Sequence, residues 1–183
     1  MDSTNRYQHI PAADGAAIPL LCWLPPGEVR GVVQVSHGMG EHAGRYARVA
    51  RALTAQGYAV YANNHRGHGE AAHDPAQRGE FGPGGFAGVV RDMLAVTQFA
   101  KGRHPGLPLV LFGHSMGSFA AQLYALDHSA QLAGLALSGT AATDLLQAGR
   151  GNVRLDETNA AVPATRTPFD WLSRDEAEVD KYI

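Results

Sequence analysis

The sequence is poor in the features that mark several common classes of protein. A single cysteine, Cys22, excludes an internal disulfide and suits a reducing compartment such as the cytoplasm. A formal net charge of -2, without a basic stripe, argues against a nucleic-acid partner. No apolar run approaches the ~20 residues that a membrane-spanning helix needs. We therefore expect a cytoplasmic protein without a transmembrane segment, and leave peripheral contact with a lipid surface open.

Motifs for phosphate and metal binding are missing or weak. The sequence contains no Gly-x-x-x-x-Gly-Lys-Ser/Thr pattern, so it does not predict a phosphate-binding loop. His65, His68, His73 and Asp74 lie close together in a polar loop, which we expect near the rim of a site. Their spacing matches no common zinc geometry, so a metal site is the weaker alternative. The sequence indicates no metal and no other cofactor.

Apolar segments alternate between patterns typical of strands and of helices. An Asp-Gly pair between the first two strands predicts a hairpin, and the strand–helix–strand order that follows predicts parallel pairs. The predicted strands are residues 7–11, 18–24, 31–36, 57–62, 109–112 and 132–138, and the predicted helices are residues 46–56, 86–101 and 116–128. This order predicts an α/β fold with helices on both faces of a mostly parallel sheet.

The pattern Gly-His-Ser-Met-Gly at residues 113–117 joins a predicted strand to a predicted helix. A sharp turn in this context lifts a serine hydroxyl clear of the sheet edge, where it can act as a nucleophile. We expect that a Cβ atom at Gly113 or Gly117 would collide with the neighbouring strand and helix. The alternative is that Ser115 only caps the helix that follows.

Three motifs in order carry a resemblance to a known family. His-Gly-Met-Gly-Glu-His at residues 37–42, His-Arg-Gly-His-Gly at 65–69 and Gly-His-Ser-Met-Gly-Ser at 113–118 resemble the monoacylglycerol lipase and lysophospholipase group of α/β-hydrolases, also described as serine aminopeptidase-like. Residues 168–175 resemble the cap segment of this group. The resemblance implies an α/β-hydrolase fold with a cap, or lid.

The resemblance also implies domain boundaries and residue roles. Residues 1–140 are expected to form the N-terminal part of the hydrolase core, and residues 141–183 the beginning of the cap. Ser115 would be the nucleophile, and the backbone N–H groups of Met39 and Met116 would stabilise the oxyanion. The residues expected to support the site are His37, Gly38, Gly40, Gly113, His114 and Gly117. The candidates for an apolar substrate pocket are Leu145, Phe169, Trp171 and Leu172.

Asn64 departs from the pattern of the group, which usually has an aspartate before the His-Arg-Gly-His-Gly motif. We expect the loss of this carboxylate to loosen an ion pair with Arg66.

A base for the serine is missing from the sequence. The only histidine after Ser115 is His128, about 20 Å away along the same predicted helix at ~1.5 Å per residue. Ser173 and Glu176 form a predicted capping box for a last helix that continues to Ile183. We therefore expect the chain to be the N-terminal part of a longer hydrolase, lacking the last two strands, with the aspartate and histidine of the triad beyond Ile183.

Two functions remain open from the sequence. The first is hydrolysis of a carboxylic ester, with a small acyl ester or a lipid such as a monoacylglycerol or lysophospholipid as substrate. The second is a non-catalytic binding or regulatory protein that has kept the turn around Ser115 and lost the triad. Lipases, lysophospholipases, esterases and peptidases share this site, and the sequence does not choose among them.

Overall fold

The computed structural model describes residues 7–72, 74–142, 158–162 and 165–183. The chain divides into two compact units, Met1–Ala141 and Ala142–Ile183. The strands of the described ranges are β1 (Gln8–Pro11), β2 (Ala17–Trp23), β3 (Gly31–Ser36), β4 (Tyr58–Asn63), β5 (Leu109–His114) and β6 (Gly134–Ser138). The helices of the described ranges, apart from short 3₁₀ turns, are α1 (Ala47–Ala55), α2 (Gly85–Arg103), α3 (Met116–His128) and α4 (Glu176–Asp180).

The first unit is built on one sheet with the strand order β1-β2-β4-β3-β5-β6. β1 and β2 form an antiparallel hairpin, and β2 runs antiparallel to β4. β3 is parallel to both β4 and β5, and β5 is parallel to β6. The predicted hairpin and the predicted parallel pairs are confirmed.

Helices cover both faces of this sheet because consecutive strand residues point to opposite sides. Val60 packs in one cluster with Ala50 of α1, whereas the next residue, Tyr61, packs in another cluster with Val96 and Ala100 of α2. α3 joins the α2 side of the sheet, where Tyr124 is fully buried. The predicted three-layer α/β arrangement is therefore confirmed.

The two lateral edges of the sheet differ in burial. Ile10 in β1 and Ile18 and Leu20 in β2 are buried, whereas Leu135 and Leu137 in β6 are 40% and 36% exposed. Because β3 and β5 are parallel and in register, the carboxyl ends of both strands meet at one place, where Ser36 is paired with Gly113. Loops that follow parallel neighbouring strands form the usual binding crevice of such sheets.

The second unit contains α4, and its start corrects the predicted capping box. The carboxylate of Asp175, not the hydroxyl of Ser173, accepts the N–H of Ala177, at 3.0 Å. Ser173 accepts the N–H of Asp175 instead, also at 3.0 Å. A carboxylate is favoured at this position because it adds a charge to the positive end of the helix dipole. None of the helices in the described ranges combines the length and apolar character needed to cross a membrane.

Candidate active site

Ser115 occupies a strained turn between β5 and α3. It is the only described residue other than glycine with a positive φ, at 51° with ψ -122°. Its backbone N–H donates to the carbonyl of Ser138 at 2.9 Å, and its carbonyl accepts the N–H of Ser118 at 2.8 Å. The last residue of β6 and the first turn of α3 therefore hold Ser115 in a backbone conformation that is rare for L residues. We refer to residues 113–117 as the elbow.

Two glycines make the elbow sterically possible. A Cβ on Gly113 would lie 2.6 Å from the carbonyl oxygen of Gly117. A Cβ on Gly117 would lie 2.1 Å from the carbonyl oxygen of Ser36 and 2.5 Å from that of His37. The clashes predicted at both positions are confirmed: Gly113 faces the first turn of α3, and Gly117 faces the end of β3.

The loop that follows β3, residues 37–42, lies beside the elbow, and we call it the β3 loop. A Cβ on Gly38 would lie 3.3 Å from the Cβ of Ser115, so the backbone of this loop is in contact range of the serine. The Glu41 carboxylate accepts the N–H of Gly38 at 3.0 Å and the hydroxyl of Tyr46 at 2.9 Å. Burial and the neighbouring carboxylate raise the pKa of Tyr46 far above its ordinary value, so its hydroxyl stays a donor.

His37, the first residue of the β3 loop, packs against two other histidines, and both of these correct the sequence analysis. His65 and His68 were expected near the rim, but they are 0% and 5% exposed, and their rings lie 4.2 Å and 5.4 Å from that of His37. Their place in the core follows from their partners, since His65 bonds the buried hydroxyl of Ser36 at 3.0 Å. Burial lowers the pKa of His37 to about 3 and that of His65 well below its ordinary value.

The metal alternative finds no support in this cluster. Among the residues that the structure describes, no group of three or more His, Cys, Asp or Glu side chains could hold a metal ion. His73, which belonged to the proposed ligand set, lies outside the described residues.

Arg66 also differs from expectation. Its guanidinium forms bonds of 2.7 and 2.8 Å to Asp92 of α2, and of 2.6 and 3.1 Å to Asp14 in the turn between β1 and β2. The pKa of Asp14 is consequently lowered to about 2. Asn64 is not among these partners of Arg66, and its side-chain oxygen accepts the N–H of Ala43 at 2.7 Å.

The two candidate oxyanion donors belong to the elbow and to the β3 loop. Met116 is the first residue of α3, and the N–H groups of a first helical turn have no partner within the helix. Met39 belongs to the β3 loop, where its side chain is 51% exposed and the φ of 69° at Gly40 turns the chain. Glu41, Tyr46 and Ser138 complete this arrangement. Sequence reasoning missed these three, although Glu41 belongs to the motif at residues 37–42.

The histidines nearest to Ser115 in sequence bond elsewhere. His114 Nδ1 lies 3.1 Å from the Ser138 hydroxyl, and His128 lies at the far end of α3 with its ring against Tyr124. Within the described residues between 7 and 142, the Ser115 hydroxyl has no hydrogen-bond partner. No base is assigned from this part of the chain.

The candidates for the substrate pocket lie in the second unit. The Phe169 ring contacts that of Tyr182 with centroids 5.2 Å apart, and the backbone N–H of Trp171 donates to the side-chain oxygen of Asn159 at 2.9 Å. Leu172 is 37% exposed. Leu145 lies outside the described residues, and the pocket remains a prediction.

The sheet order, the elbow at the end of β5 and the neighbouring β3 loop together define an α/β-hydrolase fold with the nucleophile position of that fold occupied by serine. The family model described as "Serine aminopeptidase, S33" matches residues 27–183, and the chain belongs to this family. The sequence-based family prediction is thereby confirmed.

Similar proteins agree with this assignment. The human protein "Monoglyceride lipase" is 36% identical over 129 residues, which cover 70% of this chain and 41% of that protein. "Monoacylglycerol lipase" from Mycolicibacterium smegmatis is 34% identical over 142 residues, covering 77% of this chain and 49% of that protein. The crystal structure of a carboxyl esterase from Bacillus coagulans in complex with glycerol superposes with a TM-score of 0.84 at 29% identity, covering 97% of this chain and 64% of that one. The chain thus spans about half the length of these curated relatives.

Proposed function

We propose that this chain supplies the nucleophile and the oxyanion donors of a serine hydrolase that cleaves carboxylic esters. The observation that carries the proposal is the contact geometry at Ser115, where the strained elbow and the backbone of the β3 loop meet. The Ser115 oxygen would attack the ester carbonyl, and the alcohol would leave as the acyl-Ser115 intermediate forms. Water would then release the acid and restore the serine.

The backbone would stabilise the charge that develops during this reaction. Negative charge appears on the carbonyl oxygen in the tetrahedral intermediate, and the N–H groups of Met39 and Met116 would bind it there. Preorganised donors of this kind contribute about 3–4 kcal/mol each. The base that takes the proton from Ser115 is not assigned among the described residues.

The proposed substrate class is a long-chain acyl ester such as a monoacylglycerol or a lysophospholipid. Support comes from the relatives named as monoglyceride and monoacylglycerol lipases. In this proposal residues 141–183 form the beginning of a cap, with Phe169, Trp171 and Leu172 lining an apolar pocket. The protein would act in the cytoplasm, in contact with lipid surfaces that hold such substrates.

The experiment compares the unchanged protein with Ser115→Ala, using the 183-residue chain and the complete reading frame that encodes it. A fluorophosphonate probe should label the serine, and p-nitrophenyl esters and 1-monooleoylglycerol should be hydrolysed. Ser115→Ala should abolish both labelling and turnover, whereas Ser129→Ala, an exposed serine beyond α3, should change neither.

Three outcomes would contradict the proposal. Turnover that survives in Ser115→Ala would remove the nucleophile assignment. Absence of labelling and turnover in every form would favour the non-catalytic alternative. Faster cleavage of an aminoacyl p-nitroanilide than of any ester would replace the ester class with a peptidase, in line with the family's description.

A further inference from the structure

The two ring nitrogens of His37 have different partners, and these partners fix its protonation state. The backbone N–H of His65 donates to His37 Nε2 at 2.9 Å. A backbone amide can only donate, so Nε2 must carry the lone pair. In the neutral ring the proton therefore lies on Nδ1, which donates it to the carbonyl oxygen of Gly38 at 2.7 Å.

The environment of His37 keeps this tautomer neutral. The ring is 1% exposed and lies against the rings of His65 and His68, and no carboxylate within the described residues is hydrogen-bonded to it. A second proton would have to go on Nε2, where it would break the bond from His65. Both nitrogens are thus fully used in a neutral ring.

The Gly38 carbonyl belongs to the same peptide group as the N–H of Met39. This peptide is trans, so its C=O and N–H point in opposite directions across one rigid plane. Fixing the carbonyl toward His37 fixes the direction of the Met39 N–H on the other side. The preceding peptide is held as well, because the Gly38 N–H donates to Glu41 at 3.0 Å.

We propose that His37 is a positioning residue, whose Nδ1–H holds the Gly38 carbonyl and thereby aims the Met39 N–H at the oxyanion. This inference rests on the proposed function in assigning the Met39 N–H its role, and on hydrogen bonds alone in assigning the tautomer. His37 does not touch the substrate and moves no proton in the reaction. It acts through one peptide plane beside Ser115.

Two substitutions separate the two bonds of the ring. The amide nitrogen of asparagine stands where Nδ1 stood, so His37→Asn keeps a donor for the Gly38 carbonyl and loses the acceptor for His65. The longer glutamine places its amide near the Nε2 position, so His37→Gln keeps the acceptor and loses the donor. Each variant deletes one hydrogen bond, and their unfolding free energies should fall by similar amounts.

Catalysis should separate the variants where stability does not. We expect kcat for p-nitrophenyl butyrate to fall about 100-fold in His37→Gln, as for other small misplacements of catalytic groups, with KM nearly unchanged. His37→Asn should stay within about tenfold of the unchanged protein, since it retains the donor. Equal losses of kcat in the two variants would overturn the proposal.

A second readout does not depend on activity. In ¹⁵N-edited NMR of the unchanged protein at pH 7, Nδ1 of His37 should show a protonated signal and Nε2 an unprotonated one. The Gly38 carbonyl ¹³C signal should shift upfield in His37→Gln and stay in place in His37→Asn. A proton on Nε2 of His37, or a Gly38 carbonyl signal that does not shift in His37→Gln, would overturn the inference. This holds even if the protein hydrolyses no ester. Conversely, the expected signals in a protein without turnover would contradict only the proposed function.

Discussion

The elbow and the β3 loop lie side by side at Ser115, but different forces hold them. In the elbow, Gly113 and Gly117 have no side chains, and their backbones approach neighbouring backbone so closely that a Cβ would meet oxygen atoms at 2.6 and 2.1 Å. In the β3 loop, hydrogen bonds from side chains fix the backbone. The Glu41 carboxylate accepts the N–H of Gly38, and His37 Nδ1–H donates to the carbonyl of Gly38. One loop is fixed by steric fit and the other by polar bonds.

This difference predicts how each loop responds to change. Steric contacts between backbones do not depend on pH, and a single added carbon disturbs them strongly. Hydrogen bonds to buried side chains depend on protonation and can be removed one at a time at modest cost. Substitutions and acid should therefore distinguish the two loops.

The largest effect is expected at the elbow, from Gly117→Ala. The new Cβ would lie 2.1 Å from the carbonyl oxygen of Ser36, so α3 and the end of β3 would have to move apart. We expect a loss of about 3 kcal/mol in unfolding free energy, measured by urea denaturation. The new Cβ would also displace His37, the first residue of the β3 loop, so kcat should fall as well.

Gly102→Ala is the matched control for this change. Gly102 lies within α2, and a Cβ there would meet nothing within 4 Å. Alanine is favoured over glycine in a helix, so this variant should gain up to about 1 kcal/mol. If Gly117→Ala is as stable as the unchanged protein, the elbow is not held by steric fit.

Local sequence patterns predicted most of the first unit. The β-branched run of β3 and the glycine at the end of α1 gave elements whose bounds agree with the structure within a few residues. The antiparallel pairing of β2 with β4 was not predicted, because contacts between strands far apart in sequence leave no local pattern. The start of α4 was misplaced because Ser173 and Asp175 are both good capping residues and only the backbone path decides between them.

The candidate site was predictable to different degrees in its two loops. The steric role of Gly113 and Gly117 follows from residue type and spacing. The bonds of Glu41 and His37 to Gly38 depend on how the chain folds back between β3 and α1, and the bond from His65 joins residues 28 positions apart. For the same reason, a sequence alone could not show that Arg66 is bound by Asp14 and Asp92.

Acid should affect the β3 loop and leave the elbow's own contacts unchanged. His37 has a pKa of about 3 in the folded chain and about 6.5 when unfolded, so below pH 6.5 the unfolded chain binds the extra proton. Its stabilising contribution is complete above pH 6.5 and is lost as the pH falls toward 3. Between pH 7 and pH 5, His37 alone should cost about 2 kcal/mol of unfolding free energy. His65, which is also buried neutral, should add to this loss.

The measurement is urea denaturation at pH 7 and pH 5, with His37→Gln as the comparison. The variant lacks the titrating ring, so its unfolding free energy should fall by about 2 kcal/mol less than that of the unchanged protein between pH 7 and pH 5. The other histidines near His37 are the same in both proteins, so the difference isolates His37. Parallel pH dependences in the two proteins would show that His37 is not kept neutral by the fold.

The smallest effect is expected from Tyr46→Phe, which removes one hydroxyl from the β3 loop. Glu41 would lose the donor at 2.9 Å and keep the N–H of Gly38, while the ring would still pack against Phe112. We expect a loss of about 1 kcal/mol in stability, and a fall in kcat of only about threefold, because the bond that holds Gly38 remains.

Tyr61→Phe separates these two effects. Its hydroxyl bonds His104 Nε2 at 2.8 Å, away from Ser115, so its loss should lower stability by a similar amount and leave kcat unchanged. If both tyrosine variants lose stability and neither loses kcat, the Tyr46 hydroxyl supports the fold without orienting the loop. A threefold loss of kcat confined to Tyr46→Phe would instead show that the bond from Tyr46 to Glu41 affects catalysis. Because both variants retain the packing of their rings, the effect would act through the hydrogen bonds of Glu41 with Tyr46 and Gly38.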